Sequence, residues 1–123
     1  MKTPESNAIS SEAKRITKAL AYSLQGLKSA WAEPAFRTET IITAIAIPIA
    51  FAIAKNKIEL ALLVSSLFLV LIVELLNTGL ELTINRISLE IHPLSKKVKD
   101  IASAAVLLSI INAILIWAAI LWN

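Results

Sequence analysis

The stretch IELALLVSSLFLVLIVELLNTGLELTINR, residues 58–86, decides the fold of this chain. It is apolar over a length that can cross a bilayer, yet it carries Glu74, Asn77, Glu81 and Asn85. At about 100° per residue in a helix, these four positions fall within a sector of roughly 80° and form one polar stripe. An ionisable side chain at the centre of a membrane helix is unfavourable by about 2.5 to 3.5 kcal/mol on insertion scales, so the stripe needs an explanation.

Two explanations of the polar stripe stay open from this pattern alone. In the first, Glu81 and Asn85 lie among the lipid headgroups, while Glu74 and Asn77 form hydrogen bonds to neighbouring helices. In the second, all four side chains belong to a functional site. Their common register on one helix face favours the functional explanation.

Composition identifies the class of protein. Of the 123 residues, 57% are hydrophobic, and the mean hydropathy is +0.74, whereas soluble proteins contain about 45–50% apolar residues. We therefore expect one integral membrane domain, residues 1–123.

The absence of cysteine excludes disulfides and thiolate sites, and the single His92 excludes a multi-histidine site. A metal would have to rest on carboxylates and ligand oxygens, which favours magnesium over zinc.

The sequence predicts an all-α fold with four helices. Residues 10–33 read as an amphipathic surface helix that begins near Ser11, with apolar residues at three-to-four-residue spacing and lysines on the other sides. Pro34 interrupts it, because proline lacks a backbone donor. Three transmembrane helices follow, at residues 36–54, 58–86 and 101–122.

Positive charge predicts the orientation of these spans. Lysine and arginine are frequent before the first span and between the second and third spans, but the connection between the first two spans has only Lys55 and Lys57. Cytoplasmic loops carry the excess of such residues. The N-terminus, the amphipathic helix and the loop around residues 86–100 should therefore face the cytoplasm, and the C-terminus should lie outside.

The polar residues near this cytoplasmic interface are compatible with phosphoryl transfer. With only Gly26 and Gly79, the chain has no glycine-rich phosphate loop. The reaction still requires a held metal, a cation for the developing charge and a carboxylate at the attacking hydroxyl. Glu33 and Glu81 are candidates for the metal, Lys99 for the cation and Glu74 for the lipid alcohol. Spacing alone does not separate this from a small membrane subunit without activity.

Two motifs are more specific. The run VELLNTGLELTINR, residues 73–86, followed by EIHPLSKKVKDIASAAV, residues 90–106, closely resembles the prokaryotic diacylglycerol kinase family. The resemblance extends back through YSLQGLKSAW and EPAFRTE, residues 22–31 and 33–39. It implies a homotrimeric lipid kinase of the bacterial inner membrane that phosphorylates diacylglycerol with MgATP and forms phosphatidic acid.

The resemblance also implies roles for single residues. Glu74 matches the catalytic base, Asn77 a polar active-site position, and Glu33 and Glu81 the metal ligands. The positions around the ATP are Arg15, Tyr22, Glu33, Glu81, Glu90, His92, Lys99 and Asp100. The positions that contact the lipid substrate are Ala19, Tyr22, Ser23, Lys28, Trp31, Phe36, Arg37, Glu39, Glu74, Ser103 and Trp117.

Some positions depart from the family pattern. Asn85 stands where members commonly have aspartate, Pro34 replaces a small helix former, and the segment between Trp31 and Glu33 is one residue shorter than in enterobacterial members. Pro93 resembles the Gram-positive branch, some members of which prefer undecaprenol. Diacylglycerol is the expected substrate, and undecaprenol remains the alternative.

Overall fold

A computed structural model, which describes residues 1–122, contains four α-helices. They are α1 (Pro4–Ala30), α2 (Pro34–Ile53), α3 (Lys57–Ile87) and α4 (Pro93–Trp122). The last three are each long and apolar enough to cross a membrane. This confirms the predicted all-α fold and its three candidate spans. The chain divides into two compact units, Met1–Ala32 and the part from Glu33 onward.

Helix α1 begins earlier than the predicted residue 10. The hydroxyl of Thr3 accepts a hydrogen bond from the Ser6 amide at 3.2 Å, Pro4 occupies the first helical turn, and Glu5 follows it. A capping hydroxyl, an early proline and an early acid all stabilise a helix N-terminus. Because of these residues the helix begins well before Ser11. The residues of α1 are exposed as far as Ser29.

Helix α2 follows the break predicted at Pro34. Pro34 stands in its first turn, where the missing proline donor would have no helical partner in any case. Pro48 lies inside the helix and removes one backbone hydrogen bond, an irregularity that membrane helices tolerate. The buried residues Phe36, Thr43 and Ala50 recur every seven residues and form one packed face.

Helix α3 is the centre of its unit, because it packs against both α2 and α4. Asn56 caps it by accepting the Glu59 amide at 2.9 Å. Its 31 residues span about 46 Å at the helical rise of about 1.5 Å per residue, against a hydrocarbon core of about 30 Å. The helix is therefore long enough to extend out of the apolar layer.

Helix α4 begins at Pro93, ahead of the predicted span start at residue 101. The Nδ1 atom of His92 accepts a hydrogen bond from the Leu94 amide at 3.1 Å, so His92 satisfies an amide of the first turn. The buried residues of α4 are Ala102 and Ser109. Small side chains of this kind allow helices in a membrane to approach closely.

Two buried serine hydroxyls in the packed helices have local partners. Ser66 donates to the Leu63 carbonyl at 2.8 Å, and Ser109 donates to the Val106 carbonyl at 2.7 Å. Because each hydroxyl bonds within its own helix, it can be buried without an unpaired donor. These serines are part of the packing, in contrast to the acidic residues nearer the end of α3.

Candidate functional site

Glu74 is the buried carboxylic acid of α3. Glu74 is only 5% exposed. It lies on the face of α3 that also buries Leu67, Val70 and Thr78. The polar stripe thus continues the packed face of the helix toward its C-terminal end. Exposure increases along it, from buried Glu74 through half-buried Asn77 and Glu81 to exposed Asn85.

Three further acids act on Glu74. The charges of Glu81 and Glu33 act on its carboxylate, and Glu39 of α2 also interacts with it electrostatically. Glu33 directly precedes α2, and its side chain forms no capping hydrogen bond. The fold therefore brings together acids at and near the start of α2 with Glu74 and Glu81, which lie about two turns apart on α3.

Asn77 adds an amide to this acidic group. Its side chain is close enough to interact with the Glu74 carboxylate, and its Oδ1 atom is buried without a hydrogen-bond partner within residues 1–122. A buried polar atom without a partner is unfavourable by about 1–3 kcal/mol. Such an atom is available to a substrate group that reaches the site.

The donor set of this site suits magnesium. Within residues 1–122 no three histidine, cysteine or acidic side chains are placed to hold a metal together. Magnesium commonly uses only one or two protein carboxylates, with waters and substrate phosphates as its other ligands. Glu33 and Glu81 are two carboxylates whose charges act on Glu74, and their oxygens are of the kind that magnesium prefers.

The adjoining ends of α3 and α4 carry the predicted nucleotide residues of this unit. Lys99 donates a hydrogen bond to Asn85 at 3.0 Å and so links the two helices. Asp100 accepts a hydrogen bond from Lys96 at 2.6 Å, one helical turn away on α4. Glu90 is exposed in the connection, and its amide donates to the Ser88 hydroxyl at 3.0 Å.

The α1 unit carries the remaining predicted nucleotide residues and several lipid residues. Arg15 forms an exposed ion pair with Glu12 at 3.0 Å. The Ser23 hydroxyl donates to the Ala19 carbonyl at 3.0 Å. Exposed side chains in this unit also include Tyr22, Lys28 and Trp31. Surface pairs such as Arg15–Glu12 contribute about 0–1 kcal/mol, so Arg15 is readily released for an anionic ligand.

An apolar cavity of about 370 Å3 lies between α2, α3 and α4. Glu39 and Thr43 of α2, Val70 of α3, and Trp117 of α4 are among its lining residues. The Oε2 atom of Glu39 and the Nε1 atom of Trp117 are buried and have no hydrogen-bond partner in the described chain. Of the other predicted lipid residues in this unit, Phe36 is buried, whereas Arg37 and Ser103 are exposed.

Three relationships in this region were not predicted from the sequence. The Lys96–Asp100 pair was detectable, because residues four apart on a helix are neighbours. The Asn85–Lys99 bond and the Glu39–Glu74 interaction join different helices. No periodicity within one helix reveals such contacts, because they depend on how the helices pack.

The chain is similar to known proteins along most of its length. Residues 21–121 match the family described as Prokaryotic diacylglycerol kinase. A protein from Escherichia coli named diacylglycerol kinase is 46% identical over 110 residues, which cover 89% of this chain and 90% of that protein. The protein of that name from Pseudomonas aeruginosa is 44% identical over 109 residues, with coverages of 88% and 89%. One from Helicobacter pylori is 46% identical over 105 residues, with coverages of 85% and 82%.

Proposed function

The chain belongs to the prokaryotic diacylglycerol kinase family, and we propose that it transfers the γ-phosphoryl group of ATP to the hydroxyl of diacylglycerol. The products are phosphatidic acid and ADP. The observation that carries this proposal is the buried Glu74 carboxylate on α3, with Glu33 and Glu81 close enough to act on it. An acid in the apolar part of a membrane helix is expected where it serves a reaction.

Glu74 is the proposed general base. The lipid hydroxyl gives its proton to the Glu74 carboxylate while its oxygen forms a bond to the γ-phosphorus. The bond from that phosphorus to the β–γ bridging oxygen breaks, and ADP leaves. Asn77, whose side chain interacts with the Glu74 carboxylate, is proposed to orient that carboxylate toward the reacting hydroxyl. Positioning and electrostatic stabilisation supply most of the catalysis in phosphoryl transfer.

Glu33 and Glu81 are the proposed ligands of magnesium. When bound, magnesium neutralises charge on the phosphate oxygens. The two half-buried carboxylates supply the oxygen ligands that this ion prefers. Around the nucleotide we also place Arg15, Tyr22, Glu90, His92, Lys99 and Asp100.

The lipid substrate is proposed to approach Glu74 from the apolar side. The cavity between α2, α3 and α4 is lined mostly by apolar side chains and includes Glu39 and Trp117, two of the positions expected to contact lipid. An apolar cavity with a few polar groups is the usual form of a binding site for a small apolar molecule. The exposed positions of α1 and Ser103 complete the proposed lipid contacts.

We propose that α1 is an amphipathic helix at the surface of the bacterial inner membrane. Its exposed apolar residues, among them Leu20, Leu24 and Leu27, alternate with basic residues, as in helices that lie in the headgroup region. The abundance of lysine and arginine in α1 and between α3 and α4 supports a cytoplasmic site and an outside C-terminus.

The absence of cysteine makes the orientation directly testable. Lys97→Cys, near the start of α4, is expected to be protected from a membrane-impermeant maleimide in spheroplasts, whereas Lys57→Cys should react. The opposite labelling pattern would reverse the proposed topology. Permeabilised cells, in which both variants should react, serve as the control.

A homotrimer is also proposed, on the basis of family membership. Closed cyclic assemblies are common among homo-oligomers, and many apolar side chains of α2 to α4 are exposed in the single chain. Native mass spectrometry of the protein released from nanodiscs should give the mass of three copies. A mass of one or two copies would exclude the trimer.

The proposed reaction is tested with the purified protein in mixed micelles. With magnesium, γ-labelled ATP and diacylglycerol, we expect labelled phosphatidic acid, and we expect none from Glu74→Gln prepared in parallel. A second set of micelles contains undecaprenol in place of diacylglycerol. Absence of transfer to either lipid would favour a non-catalytic membrane subunit, and preferential transfer to undecaprenol would replace diacylglycerol as the substrate.

A further inference from the structure

The hydrogen bond between Lys99 and Asn85 joins the last turns of α3 to the first turns of α4. The Nζ atom of Lys99 donates to the Oδ1 atom of Asn85 at 3.0 Å. Lysine has a flexible stem and three donors, and one of these donors is occupied by a side chain from the neighbouring helix. The contact therefore restricts the position of the ammonium group relative to α3, the helix that carries Glu74 and Glu81.

The chemistry of the acceptor matters as much as its position. Asn85 is an amide, so it accepts the hydrogen bond without neutralising the charge of the ammonium group. The adjacent acid on α4, Asp100, accepts from Lys96 at 2.6 Å and not from Lys99 in the described contacts. Lys96 therefore has an acidic hydrogen-bond partner, whereas Lys99 has a neutral one.

From this arrangement we infer that Asn85 is a positioning residue, which holds Lys99 toward the nucleotide while leaving its charge available for the phosphates. The inference rests on the proposed function, in which Lys99 contacts ATP. It assigns a role to the amide at a position where a carboxylate would form an ion pair with the lysine. The phosphates of ATP would have to displace such a carboxylate from the Lys99 ammonium group. They can bind that group while it stays hydrogen-bonded to an amide.

A double-mutant cycle on ATP binding tests whether Asn85 acts through Lys99. Binding of MgATP is measured directly, so variants without turnover can still be compared. Asn85→Ala is expected to weaken binding about three- to tenfold, the range for loss of one typical hydrogen bond. In the Lys99→Gln background the same substitution should have no further effect.

Two results of the cycle would overturn the inference. In one, Asn85→Ala binds ATP as tightly as the original chain. In the other, Asn85→Ala weakens binding by the same factor with and without Lys99. Asn85→Gln, which keeps an amide acceptor, should recover most of the affinity, and this rescue separates loss of the acceptor from a general disturbance of α3.

The charge part of the inference is tested with Asn85→Asp. The carboxylate should keep Lys99 in place but compensate its charge, so ATP should bind several-fold more weakly and its affinity should fall less steeply with salt. Unchanged affinity together with an unchanged salt dependence would overturn this part. Lys97→Gln, which removes an exposed lysine near Lys99, is the matched control and should have a smaller effect on ATP affinity.

The outcome for this inference is separable from that of the proposed function. If the original chain binds ATP but transfers no phosphate to lipid, the proposed reaction fails while the cycle can still show coupling between Asn85 and Lys99. If phosphatidic acid is formed but the cycle shows no coupling, only the role of Asn85 fails. The KM for diacylglycerol should be unchanged in Asn85→Ala, because neither Asn85 nor Lys99 is among the positions proposed to contact the lipid.

Discussion

Glu39 of α2 and Glu74 of α3 interact electrostatically across the interface of their two helices. Glu39 also borders the apolar cavity, and its Oε2 atom has no hydrogen-bond partner within residues 1–122. Two acids of like charge, one half-buried and one buried, oppose stable packing. Such an arrangement is typical of a site where stability is lost in favour of function.

Glu39→Gln is therefore expected to stabilise the protein and to lower its activity. The amide preserves the shape of the side chain and removes a like charge beside Glu74, so the thermal midpoint should rise. Loss of the carboxylate from the proposed lipid contact should raise the KM for diacylglycerol more than that for ATP. Thermal unfolding and steady-state kinetics check both parts, with Glu12→Gln on exposed α1 as the stability control. A lower thermal midpoint would show that the carboxylate contributes to packing.

Glu74→Gln is expected to reduce kcat by at least about 100-fold, because the amide cannot accept the proton of the lipid hydroxyl. Binding of MgATP should change little. Glu59→Gln provides a matched loss of one carboxylate at the opposite end of α3 and should retain activity. Substantial turnover by Glu74→Gln would exclude Glu74 as the base.

Glu33→Ala and Glu81→Ala should each weaken the magnesium-dependent part of nucleotide binding. Each substitution removes one of the two carboxylates proposed to hold the ion, and magnesium sites at phosphates rely on few protein ligands. ATP affinity is measured with magnesium and with EDTA. If the ratio of the two affinities is the same in Glu33→Ala as in the original chain, Glu33 is not a ligand.

His92→Ala should lower the free energy of unfolding by about 1 kcal/mol, because it removes the side-chain acceptor for the Leu94 amide at the start of α4. His92→Asn should recover much of this loss, since asparagine is a favourable capping residue. Denaturant unfolding in micelles measures both variants. A nucleotide contact by the imidazole would appear separately, as a raised KM for ATP that persists in the stable His92→Asn variant.

The helices were largely predictable because their signals are local. Three apolar runs indicated three spans, and Pro34 marked the break before α2. The early starts of α1 and α4 were missed, although their causes are also local. Thr3 caps one helix and His92 satisfies an amide at the start of the other, but neither residue belongs to the apolar pattern on which the boundaries were based.

The sequence by itself determined the membrane class, the family and the alignment of Glu74, Asn77 and Glu81 on one face of α3, because helical periodicity follows from hydrogen bonds within a few residues. The tertiary structure decided that Glu74 is buried, that Glu39 acts on it from α2 and that Lys99 bonds to Asn85. These contacts depend on the rotation and crossing of packed helices, which side-chain shape sets along whole interfaces. Spacing within one helix therefore predicted which groups share a face, and packing selected their neighbours on other helices.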